Sequence, residues 1–176
     1  MKKIFAFLLS IIVASNSLFA QTDEEKAKLV KIGDNLPSFG FELKQGEKST
    51  IDNYKGKLIL INLFATWCPP CNAELPVMES NVWQKHKDNK NFVLFVFGRE
   101  ENWDKLNDFK AKKGFTFPIL PDADRSIFAK FATSFIPRNF LIDENGKIVY
   151  QSIGYRPEEF KKLEEMIDSQ LETMKK

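Results

Sequence analysis

Cysteine and histidine are close to absent: the 176 residues hold two cysteines, Cys68 and Cys71, and one histidine, His86. A structural zinc site takes about four ligands of these types, so that class is excluded. Methionine is scarce, at four residues, and no histidine adjoins the cysteines, which speaks against a thiol module that carries copper. Haem attachment needs histidine directly after the second cysteine, and Asn72 stands there. An excess of charge is missing too. Lys and Arg number 26 against 24 Asp and Glu, and Lys2 and Lys3 are the only charges in the first twenty residues. Loss of that segment leaves 24 of each sign. Nothing here provides an electrostatic footprint for nucleic acid or anionic lipid. No internal repeat or low-complexity tract interrupts the chain.

Apolar and aromatic residues are plentiful, at 43% and 13%, with 17 Phe among them. That composition and length suit one domain with a full core. The first twenty residues, MKKIFAFLLSIIVASNSLFA, have a positive start, an apolar stretch from Ile4 to Val13, and a small, polar close from Ala14 to Ala20. This is the layout of a secretory signal peptide, and the apolar stretch is short for a membrane span. Cleavage is expected between Ala20 and Gln21, although Leu18 is larger than the small-x-small pattern prefers. An uncleaved anchor is the alternative. With no cysteine at the cleavage region, a lipoprotein anchor is excluded. The protein is expected to be exported to the periplasm or cell envelope.

Gln21 to Lys31 is a charged lead-in, and residues 32–176 form the expected domain. Short apolar pieces and Gly46 predict an early β-hairpin. Leu58 to Phe64 (LILINLF) is apolar without alternation, as in a central strand buried on both faces. Helical spacing at Leu75, Met78 and Val82 covers 72–87. A second buried strand spans 91–97, and a helix carrying Trp103, Leu106 and Phe109 closes at Gly114. FTFPIL at 115–120 predicts a short strand, and 124–131 a helix. Asn145-Gly146 marks a tight hairpin turn within 139–154. Pro157 opens a last amphipathic helix with Phe160, Leu163, Met166, Ile167 and Leu171 on one face. The Phe clusters at 92-95-97 and 109-115-117 read as core.

The chemistry concentrates in WCPPC, residues 67–71. At a helix N-terminus, unpaired amides and the positive end of the dipole stabilise a thiolate on the first cysteine. Cys68 is therefore expected to be the exposed nucleophile. Cys71, one turn further on the same face, can close a small disulfide and resolve a mixed one. Pro69 and Pro70 suit the first turn, where amides lack helical partners anyway. A purely structural disulfide is the competing reading, yet so short a loop removes little unfolded-state entropy.

FATWCPPC after a buried strand, and followed by a helix, resembles the thioredoxin fold. IGDNLPSFGFEL, WCPPCNAELP and IPRNFLIDENGKIV resemble more narrowly the exported TlpA/ResA-type thiol-disulfide oxidoreductases, over Ile32 to the C-terminus. The resemblance implies a thioredoxin-like α/β fold: a central mixed sheet flanked by helices, with an N-terminal hairpin and an extra αβ piece. It implies a disulfide reductase without cofactor or metal. Trp67 would shield the disulfide, with Pro69 and Pro70 beside it, and Pro76 would kink the active-site helix. Ile136 and Pro137 would form the cis-proline loop that pairs with an extended substrate. Glu74 matches an acidic residue that assists proton transfer, although an ordinary exposed first-turn Glu is its alternative. Many cytoplasmic thioredoxins bury an aspartate where Asn62 stands, and Asn62 cannot take a proton.

The implied partners are disulfide-containing protein substrates and a membrane thiol electron donor, with no nucleic acid, and the chain is expected to act as a monomer. Cytochrome c maturation and oxidative-stress defence are both compatible tasks. IGDNLPSF also resembles the start of peroxiredoxins, but those enzymes place Thr or Ser where Ala65 stands and Pro where Ile61 stands. His86 reads as a surface residue, and Arg138 as either a substrate contact or a solvated side chain.

Overall fold

The computed structural model describes residues 23–175, so the expected signal segment and its cleavage point lie outside the described residues. The first hairpin pairs β1 (Gly40–Lys44) with β2 (Glu47–Thr50) across Gly46. A five-stranded sheet carries the rest, in the order β5-β4-β3-β6-β7. Its strands are β3 (Leu58–Phe64), β4 (Phe92–Arg99), β5 (Ile119–Asp122), β6 (Arg138–Ile142) and β7 (Ile148–Ile153). β3, β4 and β5 run parallel, while β6 and β7 join antiparallel, so the sheet is mixed.

Central β3 is buried at all seven positions because both of its faces are covered. Leu58, Leu60 and Phe64 face one core, which also holds Leu75, Met78, Val82 and, from the last helix, Phe160, Leu163, Ile167 and Leu171. Ile59, Ile61 and Leu63 face the other core, made with Phe39, Phe41, Phe128 and Phe131. Each such side chain contributes about 1.5–3 kcal/mol when fully buried. Asn62 falls on the first face by the strand's two-residue period.

The helices differ in detail from the sequence reading. The active-site helix starts at once after Cys68, as α1 (Pro69–Val77), continues as a π-helical stretch (Met78–Trp83), and ends as α2 (Gln84–His86). Pro76 lies inside α1. It has no N–H to donate, and the widened turns begin two residues later. α3 (Trp103–Lys113) closes on left-handed Gly114 with φ 72°, as expected.

The strand expected at 115–120 lies instead at 119–122. Pro118 cannot donate to a ladder, and Phe115 and Phe117 are spent on the core before the strand begins. The helix expected at 124–131 shrinks to α4 (Phe128–Phe131). The Asp122 carboxylate accepts from the amides of Ile127 and Phe128, and Arg125 sits at φ 62°, so a tight turn occupies most of that span. The final helix, α5 (Pro157–Thr173), has the expected buried face, with Met166 only half-buried.

The lead-in is docked against the sheet's end. Residues 23–26 form one helical turn, Ala27 is buried, and Lys28 bridges to Ala132. Among the described residues no helix is long and apolar enough to cross a membrane.

Candidate active site

At the C-terminal end of β3, residues 65–68 turn the chain into α1. Two anchors hold that turn. The buried Glu101 carboxylate accepts from the Thr66 amide at 3.0 and 3.2 Å and from its hydroxyl at 2.6 Å. Lys105 pairs with the same carboxylate at 2.7 Å. From the other side, the Asn72 amide donates to the carbonyls of Thr66 and Cys68, at 2.9 Å each. Sequence reasoning singled out neither Glu101 nor the bonding role of Asn72. A Glu on the β4–α3 loop has no local pattern that ties it to residue 66, 35 positions away.

Cys68 and Cys71 are joined in a disulfide with a Cα separation of 5.3 Å. Cys68 caps α1, its sulfur accepting from the Cys71 amide at 3.2 Å, and Pro69 and Pro70 form the exposed first turn. The first-turn donor aimed at Cys68 is what a thiolate there requires. The expectation of an exposed Cys68 is corrected: in the disulfide state it is only 2% exposed, against none for Cys71. Its sulfur is tucked under the 134–138 loop, 3.8 Å from the Ile136 carbonyl. The Ile136–Pro137 bond in that loop is cis.

An apolar rim surrounds the buried pair. Trp67 is 60% exposed and Phe135 44%, with Pro69 and Pro70 also exposed and Ile136 half-buried. The Arg99 guanidinium lies 5.5 Å from the Trp67 ring centroid. Phe135 holds a left-handed φ of 65°, a conformation that costs a side-chain-bearing residue on the order of 1–3 kcal/mol.

Beneath the disulfide lies Glu74, one turn beyond Cys71 on the same helix face. It is not the exposed first-turn Glu that stood as the alternative, since it is 1% exposed. Burial pushes its carboxyl up to about 7, against hydrogen bonds from Asn139 and Asn62 that pull it down. A carboxyl in that range can take and return a proton at neutral pH.

Two other expectations are corrected. Arg138 is neither a substrate contact nor solvated but fully buried, and burial pulls its guanidinium down to about 10. It donates to the carbonyls of Ser134 and Phe135 and, at 3.4 Å, of Ala27, tying the lead-in to the cis-proline loop. His86 is buried rather than on the surface, 2.9 Å from Asp168 on α5. Burial lowers its pKa, with Asp168 opposing. Among the described residues no three metal-ligating side chains cluster.

Residues 31–167 match the Redoxin family. Over 137 residues the chain is 31% identical to the thiol-disulfide oxidoreductase ResA of Bacillus thuringiensis, covering 78% of this chain and 76% of that one. The chain belongs to the Redoxin family. It is a thiol-disulfide oxidoreductase of the thioredoxin superfamily, of the ResA/TlpA type. This Redoxin-family chain is also 32% identical over 149 residues to the thioredoxin-like protein YneN of Bacillus subtilis, covering 84% of this chain and 85% of YneN. Its fold matches a solution structure from Bacteroides thetaiotaomicron, assigned as a protein disulfide isomerase, with a TM-score of 0.79 and 37% identity. That match covers 83% of this chain and 93% of the other. The thioredoxin-like mixed sheet read from the sequence is therefore the fold of this Redoxin-family protein.

Proposed function

We propose that this oxidoreductase works outside the cytoplasm as a reductase of protein disulfides. The observation that carries the reading is the Cys68–Cys71 pair at a helix N-terminus, set over Glu74, a buried carboxyl with a proton affinity near neutral. In the reduced enzyme the Cys68 thiolate attacks a substrate sulfur, and the other substrate sulfur leaves and is protonated. Glu74 takes the proton of Cys71, whose thiolate attacks Cys68 and expels the remaining substrate sulfur. Two electrons pass from the cysteine pair to the substrate, and the disulfide seen here is the product state. A membrane thiol donor then returns the pair to the dithiol.

The apolar rim of Trp67, Pro69, Pro70, Phe135 and Ile136 supports a protein rather than a small-molecule substrate, since it offers contact area around a sulfur that is otherwise buried. Beside the disulfide the half-buried Ile136 is where an extended segment would pair, since Pro137 has no N–H and its carbonyl already accepts from the Gly154 amide at 2.8 Å. Export rests on the leader-like first twenty residues. Reduction of apocytochrome thiols before haem attachment and repair of oxidised envelope proteins are the two tasks this chemistry fits.

The decisive experiment is the reduction potential of the pair in protein lacking residues 1–20, read by Trp67 fluorescence in graded dithiothreitol buffers. A value near about −270 mV supports the reductase. A value near about −120 mV overturns it in favour of an oxidant or isomerase. Export is tested by fractionating the native host and mass-measuring the N-terminus, which is expected at Gln21.

A further inference from the structure

Two asparagines lie at the centre of a sheet that is otherwise apolar there. Asn62 on β3 and Asn139 on β6 are direct cross-strand partners, and they are 0% and 1% exposed. Residues opposite each other in an antiparallel pair share a face. Both amides thus meet α1 where Glu74 descends from it. A pair of leucines at this register would pack the core at no polar cost, so the amides need a reason.

Their hydrogen bonds supply one. Asn62 Nδ2 donates to Glu74 Oε2 at 3.0 Å and to Asn139 Oδ1 at 2.8 Å. Asn139 Nδ2 donates to the other carboxylate oxygen, Glu74 Oε1, and to Ser152 Oγ at 3.3 Å. All four amide hydrogens are used, and each Glu74 oxygen receives one. The arrangement fits a carboxylate and presents no acceptor to a carboxyl proton. Asn62 Oδ1 is buried and has no partner among the described residues. Turning the Asn62 amide to offer that oxygen to Glu74 would give up the bond to Asn139 Oδ1 and set two acceptors face to face, so the cradle favours the ionised carboxylate.

We propose that Asn62 and Asn139 are positioning residues that orient Glu74 and hold its ionised form ready to receive the Cys71 proton. This rests on the role given to Glu74 under the proposed function. The Cys71 S–H proton passes to Glu74, and the Cys71 thiolate bonds to Cys68 Sγ. The bond between Cys68 and the substrate sulfur breaks, its electron pair leaving on the substrate sulfur, which is then protonated. Without the two donors, burial alone acts on Glu74, and its proton affinity rises. The step that needs Glu74 ionised then shifts to higher pH.

The test reads Glu74 directly and then its consequence. In oxidised protein with 13C-labelled glutamate carboxyls, the Glu74 resonance is assigned by its loss in Glu74→Gln. Its titration midpoint is followed in the wild type, Asn62→Ala and Asn139→Ala. Each alanine variant is expected to raise the midpoint by about one pH unit, the worth of one hydrogen bond to a charged group. Asn139→Ser, a milder change should alanine fail to fold, moves it in the same direction. In rapid-mixing experiments with a peptide disulfide, the pH profile of mixed-disulfide resolution rises with the midpoint. In a Glu74→Gln background, Asn139→Ala adds nothing further.

An unmoved midpoint overturns the cradle, as does an Asn139→Ala effect that persists undiminished in the Glu74→Gln background. The two readings separate cleanly. If Glu74→Gln alters the resolution profile but the asparagine variants do not, the cradle alone falls. If Glu74→Gln leaves the profile as in the wild type, the role of Glu74 falls with it.

Discussion

Glu74→Gln should make the protein more stable, and only above a certain pH. The native carboxyl is raised from 4.5 to about 7 by burial, so between those values the folded state holds a proton that the unfolded chain has released. Stability must then fall as pH rises from about 4.5 to about 7, and stay reduced above that. The full displacement corresponds to about 3 kcal/mol. Glutamine mimics the neutral carboxyl and escapes this penalty. Its amide nitrogen meets an asparagine N–H, a conflict that takes back part of the gain. The net gain expected is about 2 kcal/mol at pH 8 and close to none at pH 4. For a chain of this length that is about 4–8 °C in Tm. Thermal or urea unfolding of the oxidised wild type and variant at pH 4, 6 and 8 provides the comparison. His86 acts on stability with the opposite sign, since burial lowers its pKa, but it is present in both proteins and cancels in the difference. If the advantage of the variant does not grow from pH 4 to pH 8, the carboxyl is not held above its ordinary range.

Cys71→Ser should leave the enzyme trapped in a mixed disulfide with substrate through Cys68, visible as a mass adduct. Trapping by Cys68→Ser instead would reverse the two roles. Glu101→Ala strips the Thr66 amide and hydroxyl of their shared acceptor. A cost of about 2–3 kcal/mol is expected in urea unfolding, and a loss under about 0.5 kcal/mol would mean the turn before Cys68 is held by other bonds. Phe135→Gly relieves a left-handed side-chain-bearing residue whose ring is largely exposed, so stability should rise by up to about 1 kcal/mol. Turnover of protein disulfides should fall while that of a small disulfide such as hydroxyethyl disulfide holds. Equal loss on both substrates would assign Phe135 to the disulfide's own geometry rather than to docking.

Local chemistry was legible wherever it was carried by neighbours in sequence. LILINLF could only be a strand covered on both sides, and it is buried at every position. Gly114 ends α3 and Asn145-Gly146 turns the β6–β7 hairpin because left-handed backbone has few willing residues. The pattern failed where a side chain from elsewhere competed. Phe128–Phe131 is helical but 124–127 is not, because Asp122 binds the amides that would have opened a longer helix. Arg138 read as a substrate contact or a solvated side chain because nothing near it in sequence announces the Ala27 carbonyl, 111 residues earlier, as an acceptor. His86 likewise depended on Asp168, 82 residues away.

The sequence by itself determined the kind of chemistry: two thiols one helical turn apart, after a buried strand and with prolines between, suit thiol-disulfide exchange better than a structural staple. It also determined the order of strands and helices, which follows from hydrophobic period and turn residues. Only the tertiary structure decided that Cys68 is covered, that Glu74 is buried, and that two asparagines from different strands close on its carboxylate. The reason is physical. A pKa and the burial of a sulfur are set by desolvation and by partners in space, and those partners here are 12, 65 and 68 residues distant along the chain.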